Sequence, residues 1–194
     1  MIFKIFWIIR GLLYKPFFGA YGFPSYIGKP VFIGKFKRIF IGNKVRIFPG
    51  ARIEVIDNES SITFDDNISI GQNLHITSGG QLKIGRDTTI AENTYISNID
   101  HEYQNINTHI LKQPNIIKET LIGENCFIGF GVVIQAGTIL GKQCIVGANA
   151  VVRGVFPDYS VIVGAPAKIV KRYDIEKKEW RKTNAKGTFI DDKV

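Results

Sequence analysis

The feature that most constrains this chain is a six-residue period. An aliphatic residue followed by a small one keeps returning: "YGFPSY IGKPVF IGKFKR", then "IGNKVR IFPGAR", and later "IGRDTT IAENTY", "IGENCF IGFGVV IQAGTI" and "LGKQCI VGANAV". The lead position falls at Tyr21, Ile27 and Ile33; Ile41, Ile47 and Ile53; Phe64, Ile70 and Ile76; Ile84, Ile90 and Ile96; Ile122, Ile128 and Ile134; Leu140, Val146 and Val152; and Val163. All nineteen are apolar, thirteen are Ile, and Gly follows eleven of them. Steps within each group of three are six residues, and steps between groups are 8, 11, 8, 26, 6 and 11. Every insertion therefore falls at one phase of an 18-residue turn. A three-sided coil with two tight corners and one permissive corner behaves in this way. A helical period of 3.6 or a hairpin period of 2 does not.

The fifth residue of the hexapeptide is often small or β-branched, as at Val31, Val45, Ala51, Thr88, Thr94, Val132, Thr138 and Ala150. Such side chains fit beside the large lead residue in a narrow interior. The glycine after the lead residue is expected at a corner that needs unusual dihedrals. The pattern predicts an all-β fold, a parallel β-helix of about seven coils rising about 4.8 Å per coil. Cys126 and Cys144 are both fifth residues in consecutive coils, so they should stack about 5 Å apart with parallel side chains, too far between Cβ atoms for a disulfide. Both are expected to be reduced and buried.

The pattern resembles the left-handed β-helix of the hexapeptide-repeat acyltransferases, over about residues 21–172. Within that group, "DHEY", "IGENCFIGFGVVIQAGTILGKQCIVGANAVV" and "VIVGAPAKIVKR" are similar to the branch that acetylates sugars, the galactoside, maltose and surface-polysaccharide acetyltransferases. Handedness comes from this resemblance. It implies acetyl-CoA as cosubstrate, a sugar or oligosaccharide acceptor in O-antigen or capsule synthesis, and a homotrimer with sites at its seams.

The repeat breaks once at length, between Ile96 and Ile122, and the excursion 97–121 holds His101 and His109. An insertion of that length without a repeat of its own is usually functional. Moving an acetyl group from a thioester to a hydroxyl needs a base near neutral pH, and histidine is the usual one. His101, at the root of the excursion, is the candidate; His109 lies mid-loop and His75 on an earlier coil. Asp100 and Glu102 flank His101 and are candidates to orient it or contact sugar, each reading equally as a solvated loop carboxylate; Asn98 is a candidate sugar contact or a turn former. The resemblance points to a backbone N–H around Gly129 and Phe130 as the oxyanion donor. Ser97, Gln135 and Arg153 each follow a third lead residue and should form a column. A pantetheine arm would run up that column from His101, its amides meeting backbone near Ala148 and Ala150 and its phosphates Arg153, Lys168 and Lys171. The family usually has Thr-Lys where this chain has Arg153 and Gly154.

The net charge of +8 implies an anionic partner: a phosphorylated cofactor, a nucleic acid or an acidic membrane. No nucleic-acid motif accompanies the charge, so nucleic acid is not expected. Two cysteines are too few for a disulfide framework, and a cytoplasmic protein, at the inner membrane face if it docks there, is the default. The first 20 residues are apolar and basic but too interrupted by Lys4, Arg10 and Lys15 for a spanning helix. They read as a helix capping the core or as a peripheral membrane contact through residues 1–18. Residues 173–194 read as a short basic helix, "YDIEKKEWRK", and a loose tail.

Three rival functions remain open. A zinc hydratase on this fold would use three histidines, but the spacings of 26 and 8 and the different columns of His75 and His101 argue against it, and no metal is expected. A binding solenoid without activity needs no histidine at a loop root. An N-acetyltransferase of an amino sugar nucleotide could use the same histidine; many such enzymes carry an extra N-terminal domain that this chain lacks.

Overall fold

In the computed structural model, which describes residues 2–190, the six-residue period becomes three parallel sheets that wrap one core. This is the left-handed parallel β-helix of about seven coils implied by the resemblance. The first face has seven strands and the third face has six; the second has nine because two C-terminal strands extend it. Registers join the lead residues coil to coil, as in Ile84 with Ile122 and Leu140, or Ile96 with Ile134 and Val152. Most lead residues are fully buried, including Ile47, Ile76, Ile84, Ile122, Ile134 and Val152. Burying one such side chain contributes about 1.5–3 kcal/mol.

The last coil departs from the expected lead position. Val163 is 39% exposed, and Ile162 takes the interior place, paired with Val146. Phe156, paired with Leu140, opens this coil. The corner before it is only Arg153 and Gly154, with Gly154 at φ +114°, so the path shortens and the phase shifts. Val31 also departs from expectation. It is 73% exposed in the first coil, whereas Val45, Ala51, Thr88, Val132, Thr138 and Ala150 are fully buried.

The glycine after the lead residue has a different cause from the one expected. Its φ is not positive at Gly85, Gly123 or Gly141. Instead its N–H bonds to the lead carbonyl of the next coil, as in Gly85 to Ile122 (2.8 Å) and Gly123 to Leu140 (2.9 Å). The backbones then lie so close that a Cβ on Gly123 would sit 2.5 Å from the Gly141 carbonyl oxygen. The left-handed conformation falls two residues later, at Asn67, Asn73, Asp87, Asn93, Asn125 and Asn149. Asn and Asp are the non-glycine residues that tolerate it best.

Both ends of the prism are covered. A helix at Ile2–Tyr14 caps the first coil: Gly11 lies against the Tyr21 hydroxyl and the Ser25 carbonyl, and Trp7 packs on Tyr26 and Phe48. At the far end the expected basic helix is absent. Lys168–Asp174 and Glu179–Lys182 are strands, the first antiparallel to Ser160–Val163 and the second antiparallel to the first. The last coil would otherwise present an unpaired strand edge, and the hairpin covers it. Asp174 shapes its turn by accepting the N–H groups of Glu176 and Lys177.

Cys126 and Cys144 are free and buried in adjacent coils, as their spacing predicts. Their thiols donate to the Gly141 and Pro157 carbonyls, at 3.2 and 3.4 Å.

Candidate functional site

The permissive corner releases the chain after Ser97, and the excursion begins as an antiparallel arm. Ile99–His101 pairs with Asn115–Ile117, with His101 opposite Asn115. The imidazole of His101 is thus held by a ladder at its backbone while the ring is exposed, without a side-chain partner among the described residues.

The arm is anchored through two side chains. Asn98 is fully buried; its Oδ1 accepts the Gly79 N–H (2.8 Å) and its Nδ2 donates to Ser78 Oγ (3.1 Å). Asp100 Oδ2 accepts from Lys118 Nζ at 2.8 Å and Arg153 Nη2 at 2.7 Å. The Lys118 hydrogen bond, and then the charge of Arg153, hold the Asp100 carboxyl below the usual carboxylate range. Arg153 therefore braces the arm from two coils above, in the column that Ser97, Gln135 and Arg153 form. Glu102 caps its own turn, accepting the N–H groups of Tyr103 and Gln104.

Two contributors escaped sequence reading. Lys118 looked like any surface lysine; its place at the return of the excursion, 18 residues after Asp100, was the available signal. Gln113 is buried and organises the outer part of the excursion, bonding Asn105 at both polar ends and the Thr108 carbonyl. A groove of about 370 Å³ runs along the base of the arm, lined by Gln81, Lys83, Asn98, Ile117, Lys118 and Thr120 among others.

The remaining candidate residues lie on a different edge of the prism. Gly129, Phe130, Ala148 and Ala150 fall at the corner between the second and third faces. Lys168 pairs with Val163 at that same corner of the last coil, and Lys171 with Val161 one step along the second face. His101, Asp100 and Arg153 sit on the edge where the third face ends. One hexapeptide, at most about 20 Å of extended chain, separates the two edges. The Gly129 N–H is already bonded to the Val146 carbonyl, and Ala150 donates to Gly147 and accepts from Val133. The amides of Phe130 and Ala148 are unpaired among the described residues. Lys168 and Lys171 are exposed and form no ion pair among them.

Residues 119–154 match the bacterial transferase hexapeptide (six repeats) family. Over those residues the chain carries the hexapeptide repeat that this family model describes. It is 36% identical over 130 residues to WbbJ of Escherichia coli K12, assigned as a lipopolysaccharide biosynthesis O-acetyl transferase, covering 62% of this chain and 65% of that protein. It is also 36% identical over 114 residues to an assigned acetyltransferase of Mycobacterium tuberculosis, covering 59% of this chain and 38% of the relative. The matches thus span less than two thirds of either relative's length. In fold it is similar to AntD, an N-acyltransferase from Bacillus cereus solved with dTDP and 3-hydroxybutyryl-CoA. That likeness has a TM-score of 0.68 at 18% identity, and covers 87% of this chain and 90% of the other.

The other histidines do other work. His75 stacks edge-on against Tyr95 with ring centroids 5.1 Å apart, and burial, then Arg52, lower its pKa. His109 Nδ1 accepts the Leu111 N–H. Among the described residues no group of three or more His, Cys, Asp or Glu is placed to hold a metal ion.

Proposed function

We propose that this chain is an acetyl-CoA-dependent O-acetyltransferase acting on a sugar hydroxyl in surface-polysaccharide biosynthesis, with His101 as general base. The observation that carries this reading is the placement of His101, fixed through its backbone on a braced arm with its ring open to an acceptor. His101 takes the hydroxyl proton as the acceptor oxygen attacks the thioester carbonyl. The tetrahedral oxyanion accepts a hydrogen bond from a backbone amide, for which Phe130 is the available donor. The C–S bond then breaks, and the proton held by His101 passes to the departing sulfur, leaving acetylated sugar and CoA.

The residues of the second edge suit the cosubstrate. With Phe130 facing the oxyanion, the unpaired amide of Ala148 matches an amide-bearing pantetheine, and Lys168 and Lys171 match its phosphates. Because His101 and these residues occupy different edges of one chain, a complete site is formed across a seam between subunits, which favours the trimer. The excursion carries exposed Tyr103, Ile106, Ile110 and Leu111 for a neighbour to cover. Sedimentation that finds a fully active monomer would refute the shared site.

A second reading, acetylation of an amino sugar nucleotide, uses the same base. The deciding experiment measures CoA release from acetyl-CoA across sugars, oligosaccharides and amino sugar nucleotides. His101→Ala should lower kcat by about 10²–10⁴ with little change in acetyl-CoA affinity. Near-normal turnover in that variant would end the assignment.

A further inference from the structure

The cations of this chain are concentrated at one end. Of its 25 Lys and Arg, ten lie in residues 1–53, where there is no Asp or Glu; the other 15 face 17 acidic residues, so residues 54–194 sum to −2. The entire positive excess belongs to the capping helix and the first two coils. Lys4, Lys15, Lys29, Lys35, Lys37 and Lys44 are all exposed there.

The capping helix adds an apolar ridge. Trp7, Gly11 and Tyr14 face the prism, against Tyr26, Tyr21 and Phe36. The opposite side presents Ile5, Phe6, Ile9, Leu12 and Leu13 to solvent, with Phe17 following, each 47–67% exposed. A wheel drawn on sequence is uninformative here because both sides of the helix are apolar, one for the core and one for something else. At 13 residues the helix is about 20 Å long. No helix among the described residues is long and apolar enough to cross a membrane.

We propose that this end is a docking surface for an anionic lipid bilayer, with the helix lying in the plane of the interface and the lysines against the headgroups. Apolar side chains backed by cations are what an interfacial helix needs. The other occupants fit less well. A second copy meeting this one end to end would oppose two strongly positive surfaces. Nucleic acid offers no apolar phase for Phe6 and Leu13. Docked in this way, the prism stands on its base, and the excursion leaves three coils higher, clear of the bilayer.

Vesicle flotation of the full chain tests this without reference to catalysis. The chain should float with phosphatidylcholine–phosphatidylglycerol vesicles and about tenfold less with phosphatidylcholine alone, and high salt should weaken binding. Phe6→Glu with Leu13→Glu should reduce flotation more than about tenfold. Lys15→Glu with Lys29→Glu, outside the helix, should weaken it even if the first pair disturbs the cap. Failure to float with anionic vesicles overturns the proposal. So does equal flotation of both double variants with the unaltered chain, or loss of self-association in Phe6→Glu/Leu13→Glu without any lipid binding to lose.

Discussion

Arg153 Nη2 lies 2.7 Å from Asp100 Oδ2, although 53 residues separate them in the chain. With Lys118 on the same oxygen, a residue next to His101 is tied both to the return of the excursion and to the solenoid two coils above. The arm that carries His101 is therefore braced by charge.

Asp100→Asn should loosen that brace. The pair is exposed enough for solvent screening, so the stability loss at neutral pH should stay under about 1 kcal/mol. Turnover should fall about tenfold, because a small misplacement of a reacting group is costly. The folded carboxyl titrates below its ordinary range, so its contribution to stability is present at neutral pH and is lost as pH falls through and below that range. Melting curves of the two proteins should converge in acid; a gap that persists there would refute the role of the charge.

The corner geometry separates two kinds of turn residue. Gly123→Ala places a Cβ 2.5 Å from a backbone oxygen and should cost about 1–3 kcal/mol. At Asn125, φ +54°, replacement by Val should cost about 1–2 kcal/mol while replacement by Gly should cost little. Urea midpoints at constant slope measure all three. An unaffected Gly123→Ala protein would show that the coils can separate at this corner.

The two thiols should be inert in the native state. Contact with the Cys144 thiol, and then burial, push the Cys126 thiol up, away from the reactive thiolate; the same contact lowers that of Cys144, which is protected instead by its full burial from any reagent. Titration with a disulfide reagent should find almost no fast thiol in the native protein and two after unfolding without reductant. Two fast native thiols would mean that the stacking around Cys126 is wrong.

The C-terminal hairpin depends on Asp174. Its Oδ2 accepts from Arg181 Nη1 at 2.8 Å, and this bond, first among several, lowers its pKa. Asp174→Asn should lower the melting temperature at neutral pH and alter the fluorescence of Trp180, which packs on Tyr173 across the hairpin. The folded pKa is depressed, so the deficit should shrink as pH falls below the carboxylate range. A deficit that is constant with pH would assign the effect to the turn alone.

The sequence by itself determined the repeat, and with it the three faces, the burial of Ile84, Ile122 and their counterparts, the exit point of the excursion and the stacking of Cys126 on Cys144. These follow from a local period that each coil repeats, so counting residues amounts to building the register. Only the tertiary structure decided what depends on contacts between distant segments or on the ends of the repeat. The segment 173–182 is polar and charged enough to read as a helix, but the open edge of the last coil recruits it, together with 168–172, into two strands. The glycines after the lead residues answer to the backbone of the next coil, which no single hexapeptide contains. The placement of His101 and Phe130 on two edges comes from winding the chain around three faces, so their separation is a property of the prism. Asp100 meets Arg153 for the same reason: two turns of the solenoid bring column neighbours together that the chain keeps far apart.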